Sequence, residues 1–146
     1  LEDDSICVRK APLEAFEKDL NNAPDLFPIV AVLASFCSGE SRISGVGRLS
    51  SKESDRASAI LEMLTKMGVE ARTEGDDMFI CGESLSSRLL NRRLMAGGEY
   101  SSHNDHRMAM ALKVAAIAAK SPVIIDDEAC TEKSFPDFLK EFRKGL

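Results

Sequence analysis

The chain has 146 residues, 44% of them hydrophobic and 29% charged, which is the balance of a folded globular protein and excludes a disordered one. A net charge of −5 disfavours a general nucleic-acid or acidic-membrane binder, though not a local basic site for a small anion. Cys7, Cys37, Cys81 and Cys130 are too far apart for a C-x-x-C pair, so the reading is idle thiols, not a disulfide framework or a structural zinc site. With no tryptophan and one tyrosine there is little aromatic surface for stacking bases. No basic segment leading into an apolar one opens the chain, and no apolar run is long enough for a bilayer, so neither a secretory signal nor a membrane span is expected.

In chain order, Ser5 to Arg9 alternates enough for a strand, and Leu13 to Leu20 is a short helix or a polar loop. Leu26 to Cys37 predicts a buried helix, with Asp25 near its N-terminus, Pro28 in its first turn and Gly39 ending it. Ser41 to Val46 is a strand candidate. Lys52-Glu53-Ser54-Asp55-Arg56 precedes a helix in which Ala57, Ile60, Leu61, Leu64 and Met67 follow the i, i+3, i+4, i+7 pattern; Gly68 stops it. Val69 to Thr73 and Met78 to Cys81 predict a hairpin around residues 74–77. Ser84 to Gly98 is part helix, part loop.

Asn104-Asp105-His106-Arg107 opens a helix expected to reach Lys120. Eleven of the twelve residues from Met108 to Ala119 are apolar, which predicts burial on nearly all sides. A strand over 122–126 and an amphipathic helix over 134–143 close the chain. Placing Asp25 on Asp105, an offset of 80, superposes two buried helices and the strands after them. One residue of slip then brings Lys52 onto Lys133. The expectation is an internal repeat, about 24–67 and 104–143, in a single α/β domain (an α+β sandwich) over residues 1–146.

Each copy carries cations where a helix begins. The helix dipole disfavours a cation there, so Lys52, Arg56 and Arg107 ask for a reason. One is a solvated face with neighbouring ion pairs. The other is convergence of Lys, Arg and backbone N–H groups on a phosphate or carboxylate, which the density of charge in 52–56 and 104–107 favours.

At these residues a resemblance appears. Asn104-Asp105-His106-Arg107-Met108-Ala109-Met110-Ala111, Lys52-Glu53-Ser54-Asp55-Arg56, the segment from Cys130 to Phe138 and Pro24-Asp25 resemble, in order and spacing, signatures of the 3-phosphoshikimate 1-carboxyvinyltransferase (EPSP synthase) family. The resemblance implies transfer of the enolpyruvyl group of phosphoenolpyruvate to the 5-hydroxyl of shikimate 3-phosphate, by addition and elimination, with no metal or other cofactor. It implies the inverse-barrel fold of enolpyruvyl transferases, built from βαβαββ units. The chain would be most of the C-terminal domain, lacking the N-terminal domain that partners it, and would act in the cytoplasm.

By the same resemblance, Asp25 accepts the proton of the 5-hydroxyl and contacts shikimate 3-phosphate, as does Lys52. Arg56, Arg107 and Lys133 hold phosphoenolpyruvate, and Glu53 takes part in protonating the methylene. On the residues alone, Asp25 reads as a helix cap, and Glu53 could equally be a salt-bridged helix residue; His103, Asp105 and His106 are read as structural. The family commonly has an arginine two residues before the motif lysine. Here that position is Ser50, and Arg48 is the candidate substitute. Two other readings stay open: a standalone anion-binding module, and an enolpyruvyl transferase acting on a nucleotide sugar.

Overall fold

A computed structural model describes residues 7–9, 11–50, 55–90 and 95–145. The first strand, β1 (Glu17–Asp19), leads through a 3-10 turn (Pro24–Leu26) into helix α1 (Phe27–Ser35) and strand β2 (Gly39–Ser44). Helix α2 (Arg56–Lys66) and the hairpin of β3 (Glu70–Glu74) and β4 (Asp77–Gly82) complete a βαβαββ unit. Its sheet runs in the order β1-β2-β4-β3, with β1 and β2 parallel and the other pairs antiparallel.

After helix α3 (Leu85–Leu90), strand β5 (Gly98–Tyr100), helix α4 (His106–Ala115), strand β6 (Val123–Ile125) and helix α5 (Phe138–Lys144) give a second run of βαβα, with β5 and β6 parallel. The two parallel pairs share one register. Glu17 faces Arg42 and Gly98 faces Val123, an offset of 81 on both strands. The isolated bridges Glu14–Ser38 and Met95–Ala119 keep the same offset. The strand match therefore sits one residue beyond the offset of 80 that aligns Asp25 with Asp105.

The core lies where the two runs meet. Met63 and Leu64 of α2 are buried, as are Phe27, Ala31 and Val32 of α1, Ile43, Met78 and Ile80 of the sheet, and Met108 and Leu112 of α4. α1 packs on α4. The single Tyr100 hydroxyl hydrogen lies between two acceptors, the carbonyls of Ala96 (2.9 Å) and Lys66 (3.2 Å), which sets β5 against the end of α2. No helix among the described residues is long and apolar enough to cross a membrane.

Several expectations need correction. Residues 7–9 form no strand; the first strand lies at 17–19, inside the segment read as helix or loop. Gly39 does not end the first helix but opens β2 at φ 106°, with its helix already closed at Ser35. The helix expected to reach Lys120 stops at Ala115 and tightens into a 3-10 turn, which turns Ile117 outward at 58% exposure. The final helix starts at Phe138 rather than Ser134: residues 134–137 form turns around Pro136, which disfavours a helical conformation in the residue before it.

Candidate anion site

Three segments bring charge together. Arg56 is the first residue of α2, whose N-terminus is capped by Asp55: the Ser58 N–H and hydroxyl donate to its carboxylate at 3.2 and 2.6 Å. From there the Arg56 side chain crosses to the second run. Its Nε donates to Asp105 Oδ2 at 2.6 Å and its Nη1 to Asp25 Oδ1 at 3.4 Å. Arg107, in the first turn of α4, donates from Nη2 to Asp25 Oδ2 at 2.6 Å. Arg56 and Arg107 thus meet on one carboxylate, although 51 positions separate them in the chain.

Asp105 holds this arrangement from beneath. It caps α4, accepting the Arg107 N–H at 2.9 Å, and its other oxygen takes Arg56. Its side chain is only 8% exposed. Burial pushes its carboxyl up, but the Arg56 guanidinium, the Arg107 N–H and His106 together hold it below the ordinary carboxylate value. The adjoining His106 is shifted down, by burial and by the Arg107 charge, so its imidazole favours the neutral form.

Lys133 reaches the same end of α4 from the 3-10 turn Ala129–Lys133, donating to Asn104 Oδ1 at 3.0 Å. The loop that presents Asn104 is unusual. His103 and Asn104 both lie in the left-handed region, at φ 52° and 56°. Two such residues cost roughly 1–3 kcal/mol each, and such conformations concentrate at ligand-binding sites. His103 Nε2 meets Glu62 of α2 at 3.1 Å, and Asp126 accepts the Ser102 N–H at 2.8 Å and the Ser101 hydroxyl at 2.7 Å, so the loop is held from both sides.

Asp25 differs from Asp105. It sits inside the 3-10 turn, and α1 has no side-chain cap: Pro28, near its start, has no N–H to satisfy. The cap reading of Asp25 is therefore corrected. Its carboxylate, 58% exposed, is committed to the two arginines. An open groove of about 320 Å³ begins at Asp25 and Arg107 and runs between α1 and α4, walled by Ile29, Met110, Val114 and Phe138.

The expected site residues divide accordingly. Asp25, Arg56 and Arg107 are in contact, with Lys133 on the neighbouring Asn104. Lys52 and Glu53 lie outside the described residues. Arg48 is exposed at the end of the 3-10 turn Val46–Arg48, and Ser50 bridges Asp55 just ahead of α2. Sequence reasoning missed Asp105 as the partner of Arg56 and Asn104 as the partner of Lys133. A cation at the start of a helix, needing a carboxylate from elsewhere, was the available signal for the first.

A family model described as EPSP synthase (3-phosphoshikimate 1-carboxyvinyltransferase) matches residues 1–142. Curated relatives named 3-phosphoshikimate 1-carboxyvinyltransferase include one from Methanocorpusculum labreanum, 38% identical over 97% of this chain and 31% of its own length. Another, from Aeropyrum pernix, is 41% identical over 91% of this chain and 29% of its own. Among solved structures, an EPSP synthase from Acinetobacter baumannii superposes with a TM-score of 0.71 at 28% identity, covering 84% of this chain and 27% of that one. The enolpyruvyl transferase NikO from Streptomyces tendae shares the fold, with a TM-score of 0.62 at 16% identity over 91% of this chain and 28% of that one. The chain spans about 30% of the length of the curated relatives it matches. Two arginines from separate βαβ runs meet on one aspartate, and the matching model runs through nearly every residue: the chain belongs to the EPSP synthase family.

Proposed function

We propose that this chain supplies one wall of a site that transfers the enolpyruvyl group of phosphoenolpyruvate to the 5-hydroxyl of shikimate 3-phosphate, releasing phosphate. The observation that carries the reading is the meeting of Arg56 and Arg107 on a single carboxylate. Guanidinium groups so placed match a ligand bearing a carboxylate and a phosphate, and Lys133 adds a point charge one residue from the cap of α4. The remainder of the site would come from the N-terminal domain of a longer protein in the cytoplasm. This chain would be most of the C-terminal domain.

In this reading the 5-oxygen bonds to C2 of phosphoenolpyruvate while C3 gains a proton, giving a tetrahedral intermediate. Loss of a proton from C3 and of phosphate from C2 then restores the double bond. Asp25 takes the hydroxyl proton, Lys52 lies against shikimate 3-phosphate near that hydroxyl, and Glu53 serves C3. Arg56, Arg107 and Lys133 hold phosphoenolpyruvate and offset the charge growing on the departing phosphate.

The test is a chimera in which these 146 residues replace the matching part of the Methanocorpusculum labreanum relative, assayed for phosphate release with both substrates. Turnover is expected in the chimera and none from the chain alone, because one wall cannot position two substrates. Asp25→Ala in the chimera should lower kcat by about 10²–10⁴. Arg107→Ala should chiefly raise the KM for phosphoenolpyruvate. A chimera that folds and binds neither substrate would overturn the reading.

A further inference from the structure

The two arginines meant for an incoming anion already hold one. Asp25 accepts a hydrogen from Arg107 on one oxygen and from Arg56 on the other. Asp25, Asp105, Arg56 and Arg107 together sum to zero charge, so the cluster as it stands offers little net attraction to an anion. We infer that Asp25 is the site's internal counter-ion: a carboxylate or phosphate ligand displaces it from Arg56 and Arg107, and that displacement frees its oxygens to accept a proton. The inference rests on the anion-site reading above and adds an order of events to it.

The two aspartates are unequal in a way that says which one yields. Asp105 is nearly buried and is fixed on both oxygens: one caps α4 by accepting the Arg107 N–H, and the other takes a 2.6 Å bond from Arg56 Nε. Asp25 is more than half exposed, and the longer of its two bonds, 3.4 Å to Arg56 Nη1, is at the limit of hydrogen bonding. Its turn is three residues long and its side chain caps nothing. An arriving anion therefore competes with Asp25 and leaves Asp105 in place. Arg56, gripped by its Nε, keeps its outer nitrogens aimed at the ligand.

Displacement also has a chemical consequence. While each Asp25 oxygen accepts a guanidinium hydrogen, the carboxylate is engaged, and a hydroxyl brought near it competes with two cations. Once the three-carbon acid has taken those cations, the same carboxylate is released beside the anion it made way for. Binding of the phosphorylated acid and readiness of the base become one event.

The 146-residue chain and its Asp25→Asn variant, an exposed and nearly isosteric change, are titrated with phosphoenolpyruvate and with inorganic phosphate. Binding is followed by calorimetry and by the Nε–H resonances of Arg56 and Arg107. The variant is expected to bind both anions about three- to tenfold more tightly, as a competing carboxylate of modest strength is removed. Arg107→Ala should abolish the same binding. Equal or weaker binding by Asp25→Asn, with binding still dependent on Arg107, overturns the displacement while leaving the anion site standing. Binding unaffected by Arg107→Ala, or absent from every protein, overturns the site and the displacement together.

Discussion

The two parallel βαβ runs share a strand register residue for residue, yet they enter their helices differently. In the first, the chain passes from β1 through a 3-10 turn into α1, and Asp25 is left outward with no backbone group to satisfy. In the second, two left-handed residues swing the chain so that Asp105 caps α4 and is buried. The two runs thus present a fixed carboxylate and a loose one, both bonded to the Arg56 guanidinium. The strand pairing is the same in both runs, while the few residues between strand and helix decide which acid is buried in a helix cap and which is left exposed.

The contrast is broken most severely at Asp105. Asp105→Ala removes the cap of α4 and leaves the mostly buried Arg56 without its closest partner, for a loss of about 3 kcal/mol in denaturant unfolding. A loss under about 1 kcal/mol would mean that Asp105 is no more anchored than Asp25.

A second difference lies just past the strands, at Gly45 after β2 and Asp126 after β6. Gly45 sits at φ 111°, and a Cβ there would lie 3.0 Å from the Asn21 nitrogen and 3.1 Å from the Leu20 carbonyl carbon. Gly45→Ala should therefore cost about 1–3 kcal/mol in the same unfolding measurement. Asp126, at the corresponding place, makes its turn with its side chain. Burial pushes its carboxyl up, but the N–H groups of Ser102 and Asp127 and the Ser101 hydroxyl bring it down to about 2.

A carboxyl lowered on folding stabilises the native state above its unfolded value of 3.8 and loses that contribution as pH falls toward 2. Asp126→Asn should flatten the dependence of stability on pH between about 4 and 2, by roughly 1 kcal/mol or less because the residue is exposed. Asp105 keeps the variant from becoming wholly insensitive there, since its own carboxyl is also lowered.

What the sequence disclosed follows from what each signal depends on. The helix of α2 was legible to within a residue, because Ile60, Leu64 and Met67 keep a period and Gly68, at φ 75°, stops it. The β3–β4 hairpin was equally plain. Both are local patterns. β1 was not, because its three residues are exposed and alternate with nothing; they become a strand only through pairing with Arg42–Ser44. The end of α4 was overrun because apolar composition continues through the 3-10 turn after it, and α5 was begun too early because Pro136 holds the residues before it out of the helix. The arginines could be chosen from their placement at helix starts, but their partners could not. Arg56 and Asp105 stand 49 positions apart, and that pairing exists only once α2 and α4 are packed.

The smallest expected effect is the sharpest for the comparison. Asp25→Ala should change stability by no more than about 0.5 kcal/mol, since exposed ion pairs contribute little and Arg56 keeps Asp105. Arg107, partly exposed already, can turn its guanidinium to water without leaving a buried charge. The measurement is denaturant unfolding alongside Asp105→Ala, with equal slopes required of both. A cost near that of Asp105→Ala would show that Asp25 is part of the scaffold. A carboxylate that the fold needs in place cannot also be the one that a ligand moves aside, so the displacement inferred above would fall with it.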